Sequence, residues 1–287
     1  MNEPTGASGE LVVVATPLGN LGDISKRALE LLARADVVYC EDTRRSSTLF
    51  SANAISVNAR LRALHQHNEA SQCAEIVDQV RRGLLVVLIS DAGTPGISDP
   101  GSRVVGAVAQ ARLKVTTAPG PSAVIAALSI SGLDTERFCM EGFLPRKVGE
   151  REKFYAQWTN EPRTIVFFES PQRIGNTLNE MRGRFGERRV AVAREMTKLH
   201  EEVIRGTLDE VADFVAGGAL IGEIVVVIEG AKDAPIVTDA TLARALREQV
   251  AQGATTRDAV DFVATSLGVA RRVVYRVALE SRSDDGP

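Results

Sequence analysis

The chain has 287 residues, a net charge of −3 and 25% charged residues, with a pI near 5.8. That balance excludes a disordered chain and a globally basic nucleic-acid binder. No apolar run is long enough to span a bilayer and no charged-then-apolar leader opens the sequence, so we expect no membrane association. Cys40, Cys73 and Cys139 are odd in number and form no C-x-x-C pair, which points to buried thiols in a reducing cytoplasm. The first nine residues read as a loose tail. Glu10–Ala15 is then an apolar strand, broken by Thr16-Pro17-Leu18-Gly19-Asn20-Leu21-Gly22-Asp23 and followed by a helix with Ile24, Ala28, Leu31, Leu32 and Ala35 on one stripe. Asp36–Cys40 is a second strand running into Glu41-Asp42-Thr43-Arg44. Leu61–Leu64 is a third, ending in His65-Gln66-His67-Asn68-Glu69, before a helix that buries Ala70, Cys73, Val77 and Val80.

Leu84–Ile89 is a continuous apolar run suited to a strand buried on both faces of a parallel sheet. It breaks into Asp91, three glycines, two prolines and Asp99, a loop of little bulk on whose backbone a ligand could lie. A helix near Val104–Ala111, a strand at Lys114–Thr117, the stop Ala118-Pro119-Gly120-Pro121-Ser122-Ala123 and a small-residue helix to Ser131 follow. The repeat of strand, loop and helix defines a parallel α/β domain over 10–141, with a tail over 1–9. Gly142–Lys147 reads as the crossover to a second, mixed α/β domain over 142–232. Its strands fall at Thr164–Phe168, Val190–Ala193 and Ile224–Ile228, with a helix from about Gln172 to Phe185 and an antiparallel piece at Val203-Ile204. Asp233-Ala234-Pro235 breaks the pattern, and 233–287 reads as a helical, RNA-contacting C-terminal domain.

The dinucleotide fingerprint G-x-G-x-x-G is absent. Gly96-x-x-x-x-Gly101-Ser102 has P-loop glycine spacing but lacks the lysine, and Asp91 and Asp99 would repel a triphosphate. Strand-end carboxylates suit a ligand with hydroxyls and a positive charge, as S-adenosylmethionine has. They equally suit capping of the following turn. Both readings stand on the residues alone. So do two for Glu41-Asp42-Thr43-Arg44: a substrate-handling group, or acidic residues at a helix N-terminus. His65 and His67 share a strand face, but no third metal ligand accompanies them and no metal is expected.

Taken in order, these motifs decide the matter. The set comprises Thr16–Asp23, Glu41–Arg44, Ser90–Pro95, Ser98–Gly101, Pro119–Ala123, Glu141–Lys147, Phe168–Pro171, Ala193–Lys198 and Gly222-Glu223. Together they resemble the ribosomal RNA small subunit methyltransferase I family of the tetrapyrrole methylase superfamily, from about Leu11 to Glu280. The resemblance implies two α/β domains of the class III methyltransferase type plus a helical C-terminal part. It also implies S-adenosylmethionine as cofactor in a cleft between the α/β domains, homodimers, and methylation of a cytidine ribose 2′-hydroxyl in the decoding region of 16S rRNA. Cofactor contacts would fall on Pro17, Asp91, Ala92, Gly93, Thr94, Ile97, Ser122, Ala123, Phe168, Glu169, Ala193 and Glu223. Two positions depart from the pattern: Gly96 where a bulky aliphatic residue is expected, and Gln172 where His is usual.

A ribose hydroxyl must lose its proton as it attacks, so a general base is expected. Glu41 or Asp42 would serve as base or orienter, with Arg44 on a phosphate. RNA contacts are expected at His67, Glu69, Arg146, Lys147, Arg271, Arg272, Tyr275 and Arg276, the last four in a helix–turn–helix-like context. The Glu195–Lys198 pair reads more readily as a structural ion pair. Two rival readings remain: a methyltransferase for a small tetrapyrrole-like substrate, and a non-catalytic ribosome assembly factor.

Overall fold

The computed structural model describes residues 9–55, 60–218, 220–232 and 238–283, with side chains described to residue 280. The expected tail, apart from Gly9, and the break at Asp233-Ala234-Pro235 lie outside the described residues. The chain forms two compact units, Met1–Ile130 with Ala193–Val203 and Ile221–Val225, and Ser131–Val192 with Ile204–Leu220 and Val226–Pro287.

The first sheet is built from β1 (Glu10–Val14), α1 (Lys26–Arg34), β2 (Val37–Cys40), α2 (Thr43–Ala52), β3 (Arg60–Ala63), α3 (Glu69–Arg81), β4 (Leu85–Leu88), α4 (Ser102–Gln110), β5 (Lys114–Ala118) and α5 (Ala123–Ser131). Its order is β3-β2-β4-β1-β5 and every pairing is parallel. β1, β2 and β4 carry nearly unbroken apolar runs because both sheet faces are covered. Val12, Val14 and Val38 pack with Leu32 and Phe50 on one face, Leu11 and Leu88 with Ile76 and Val104 on the other. β1 and β4 are neighbours, yet their onward connections leave in opposite directions, to β2 and to β5. That is the topological switch point where open α/β sheets bind ligands, and the expected ligand loop leaves β4 there.

The second sheet follows from β6 (Phe138–Phe143), α6 (Val148–Trp158), β7 (Thr164–Glu169), α7 (Ile174–Phe185), β8 (Arg189–Arg194), β9 (Glu202–Thr207), α8 (Leu208–Ala216) and β10 (Ile224–Ile228), in the order β6-β7-β10-β8-β9. β6, α6 and α8 were not foreseen. β6 holds the half-exposed sequence Phe-Cys-Met-Glu-Gly-Phe and its pairing with β7 shifts register between Met140 and Phe143, so its alternation is broken. α8 begins on a capping box, Thr207 with Glu210, a signal present in the sequence. The C-terminal segment forms α9 (Asp239–Ala251), α10 (Thr256–Ser266) and α11 (Arg271–Ser283), packed around Leu242, Leu246, Val260, Val263 and Val274.

Candidate active site

Three strand-end loops of the first unit are tied together behind β1 and β4. Thr16 and Gly93 exchange backbone hydrogen bonds (2.9 and 3.0 Å), and the buried Thr16 hydroxyl donates to the Ser90 carbonyl (3.1 Å). The Thr94 hydroxyl donates to the Pro121 carbonyl (3.0 Å), which joins the β4 loop to the segment leading into Ser122 and Ala123. Gly93 (φ 78°) and Gly96 (φ 83°) both take left-handed backbone, and a Cβ on Gly93 would meet Leu18 Cδ2 at 3.3 Å. The glycine at 96 is thereby explained: a bulky aliphatic residue would be strained in this conformation. Ile97, 48% exposed, stands at the loop's outer edge.

Carboxylates from β2 and β4 converge on this place. Asp91 Oδ1 accepts from the Asp42 backbone N–H (3.0 Å), and its Oδ2 pairs with Arg45 at 3.1 Å. Asp91 therefore caps no turn of its own; it fastens the β4 loop to the start of α2. Asp42 is the N-cap of α2, accepting from Arg44 N–H at 2.8 Å, and that bond holds its carboxyl below the usual carboxylate range. As a general base at neutral pH Asp42 is therefore poorly suited, and the helix-start reading describes it. Glu41 is pushed upward by partial burial and by the Asp91 charge. Asp99 is pushed up to about 6, chiefly by burial and then by Glu41 and Asp91, against a lowering contact from Ser90. The β2–β4 adjacency brings Glu41 to Asp99, so the sequence singled out Asp99 as a loop carboxylate but not its coupling to Glu41.

Beside them lies an open cleft of about 250 Å³ lined by Pro17, Leu18 and Leu21, by Arg45 and Leu49 of α2, and by Asp91. Arg44, whose side chain is 93% exposed, points away into solvent, 3.6 Å from Asp42. The cleft arginine is Arg45, one residue after the Arg44 expected to hold a phosphate.

Also in the first unit, Lys198 Nζ lies 2.8 Å from Glu195 Oε1 and 3.2 Å from Glu223 Oε2. Its stem covers Gly19, where a Cβ would meet Lys198 Cγ at 2.3 Å. The Glu195–Lys198 pair thus extends to Glu223, while Ala193 is buried in β8. In the second unit, Phe168 packs on Phe143 with ring centroids 5.2 Å apart. The Glu169 side chain is fully buried, accepting from Thr177 Oγ1 (2.8 Å) and Ser170 N–H (2.8 Å) and paired with Arg173 at 3.3 Å, which leaves no carboxylate for a ligand there.

Several RNA expectations need correction or qualification. Glu69 is buried: its Oε1 accepts from the backbone N–H of Gly101 (2.9 Å) and Arg103 (2.8 Å), so it caps α4 and cannot meet RNA. Arg276 is bound to Asp239 and Glu280, and Arg271 to Asp261, so much of their charge is met within the bundle. Tyr275 is 47% exposed. Arg272, Arg146 and His67 are exposed, and Lys147 pairs with Glu150 at 3.3 Å.

Residues 10–212 match the family model for Tetrapyrrole (Corrin/Porphyrin) Methylases. Solved structures agree on the fold: diphthine synthase (TM-score 0.58, 17% identity, 77% of this chain and 90% of that one), and uroporphyrin-III C-methyl transferase from Thermus thermophilus complexed with S-adenosylhomocysteine (0.53, 18%, 77% and 97%). The fold is thus that of a tetrapyrrole methylase. Ribosomal RNA small subunit methyltransferase I of Mycobacterium tuberculosis is 46% identical over 98% of both chains, and that of Synechocystis 39% over 96% of this chain and 99% of its own. The chain belongs to the ribosomal RNA small subunit methyltransferase I family.

Proposed function

We propose that the chain transfers a methyl group from S-adenosylmethionine to the ribose 2′-hydroxyl of a cytidine in the decoding region of 16S rRNA, within the small ribosomal subunit in the cytoplasm, and works as a homodimer. The observation that carries this reading is the end-to-end likeness to small subunit rRNA methyltransferases I, C-terminal helices included.

The residues present fit the cofactor. Bare backbone at Gly93 and Gly96 gives a flat bed, and Asp91, Glu41 and Asp99 favour a ligand bearing positive charge and ribose hydroxyls. In the first unit Pro17, the Asp91–Thr94 loop, Ile97, Ser122 and Ala123 would hold it, with Ala193 and Glu223 as further contacts the resemblance implies. When bound, S-adenosylmethionine supplies a methyl already activated by its sulfonium, so the S–C bond breaks as the O–C bond forms. The protein aligns the hydroxyl and takes its proton. Glu41 and Asp99, both pushed upward by burial, are the proposed proton acceptors; Asp42 keeps the α2 terminus in position.

Asp91→Ala is expected to weaken S-adenosylhomocysteine binding at least ten-fold by calorimetry while the circular dichroism stays unchanged. Equal affinity in the variant would remove Asp91 from the site. In the C-terminal bundle, Arg272 and Tyr275 are the proposed rRNA contacts, with Arg146 and Lys147 in the second unit. Arg272→Ala should lower the salt slope of rRNA binding by about 1, read from affinities at several ionic strengths. An unchanged slope would take α11 out of the interface.

A further inference from the structure

The cleft of the first unit shares Pro17 and Asp91 with the glycine bed beside it but extends away from that bed onto α2. On α2, Arg45, Thr48, Leu49 and Ala52 recur at i, i+3, i+4 and i+7, so one helix face lines it. Leu18 and Leu21 face them, and Leu21 is 48% exposed. A strip of apolar side chains on either side suits a flat ring. The Thr48 hydroxyl donates to the Arg44 carbonyl (3.1 Å), which leaves its oxygen free to accept. Arg45 lines the cleft. It spends part of its fork on Asp91 (3.1 Å) and feels the nearby charges of Glu41 and Asp42, yet its side chain is 71% exposed and neither of those two closes an ion pair with it. By contrast Arg151, Arg182 and Arg184 of the second unit each close on carboxylates.

From this geometry we propose that the cleft receives a single ribonucleotide of the substrate strand, its base between Leu49 and Leu18–Leu21, its phosphate on Arg45 and its ribose toward Asp91. This rests on the reading given under Proposed function and names the substrate subsite of that reaction. The volume, about 250 Å³, lies below the roughly 300–1,000 Å³ typical of drug-sized ligand pockets. A cleft of that size suits one nucleotide, and a base held there is one that has left its stack.

The test is Ala52→Trp, which fills the cleft from an exposed position at the end of α2, with Thr48→Trp as a second variant should the first melt early. Both are compared with the unaltered protein for methyl transfer to undermethylated small subunits, for S-adenosylhomocysteine affinity, and for binding of cytidine 5′-monophosphate followed by nuclear magnetic resonance. The expected result is a KM for subunits raised at least ten-fold, nucleotide binding lost, and cofactor affinity within two-fold. Lost cofactor affinity with nucleotide binding kept would hand the cleft to the cofactor and overturn the proposal; no change in any readout would overturn it as well. Should the unaltered protein methylate no subunit, the family reading fails on its own, and the nucleotide titration still decides the cleft.

Discussion

Replacing Asp99 by Asn is expected to slow methyl transfer by about 10²–10⁴-fold and, at the same time, to raise the melting temperature at pH 8. The two effects have one origin. Burial first, then the charges of Glu41 and Asp91, push the Asp99 carboxyl up to about 6, with the Ser90 contact opposing them. In the unfolded chain an Asp titrates near 3.9. Between about pH 4 and 6 the folded protein therefore holds a proton that the unfolded chain has released. Stability must fall as pH rises through that window, and the penalty is complete above it. Asn removes the charge and keeps the shape. We expect a gain of order 1–2 kcal/mol at pH 8 after allowing for solvent screening, or about 2–8 °C in Tm, and none at pH 4. A carboxyl poised near 6 is also ionised and ready to accept a proton at neutral pH, so kcat/KM should rise through about pH 6 in the unaltered protein. Melting curves at pH 4 and 8 with a pH–rate profile check both limbs. An Asp99→Asn protein that gains stability and keeps full activity would shift the base to Glu41.

Glu69→Ala is expected to cost about 2–4 kcal/mol, the largest loss of stability we foresee for one side chain in the first unit. Two backbone donors at the start of α4, Gly101 and Arg103, converge on one oxygen of this buried carboxylate. Hydrogen bonds to a charged acceptor are worth about 1.5–3 kcal/mol, and stripping the acceptor leaves the buried Gly101 N–H and the partly buried Arg103 N–H without this partner. Gly101 sits at φ 135°, so the turn cannot easily rearrange around the gap. Glu69→Gln, which keeps an oxygen at that position, should cost about 1 kcal/mol. Chemical denaturation separates the two. Because the loop carrying Asp99 ends at this cap, Glu69→Ala should also lower activity. Equal losses for Ala and Gln would mean that charge alone, and not the acceptor, matters there.

The first sheet was largely legible because its strands are buried on both faces and write themselves as apolar runs, as at Leu11–Val14 and Val86–Leu88. Its loops were legible because glycine and proline interrupt those runs at the ligand edge. β6 was not legible, since its half-exposed residues and register shift erase the alternation. At the site, Asp91 and the Glu41–Arg44 motif could be picked out as strand-end groups, but their partners could not. Asp99 owes its raised pKa to burial first and to Glu41 second, and the two acids come together because β2 lies beside β4. Glu69 followed a strand end as an RNA-facing acid would, and only the fold turns it inward to α4. Arg45 rather than Arg44 faces the cleft because α2 starts on Asp42, a helical phase that one residue of offset reverses.

The most direct test of the account is to incubate the protein with methyl-labelled S-adenosylmethionine and small subunits lacking this modification, then map the label on the 16S rRNA. The account predicts label on the ribose 2′-oxygen of one cytidine in the decoding region, lost in the Asp99→Asn protein. Label on a base, or transfer to a precorrin-type tetrapyrrole and none to the subunit, would contradict it.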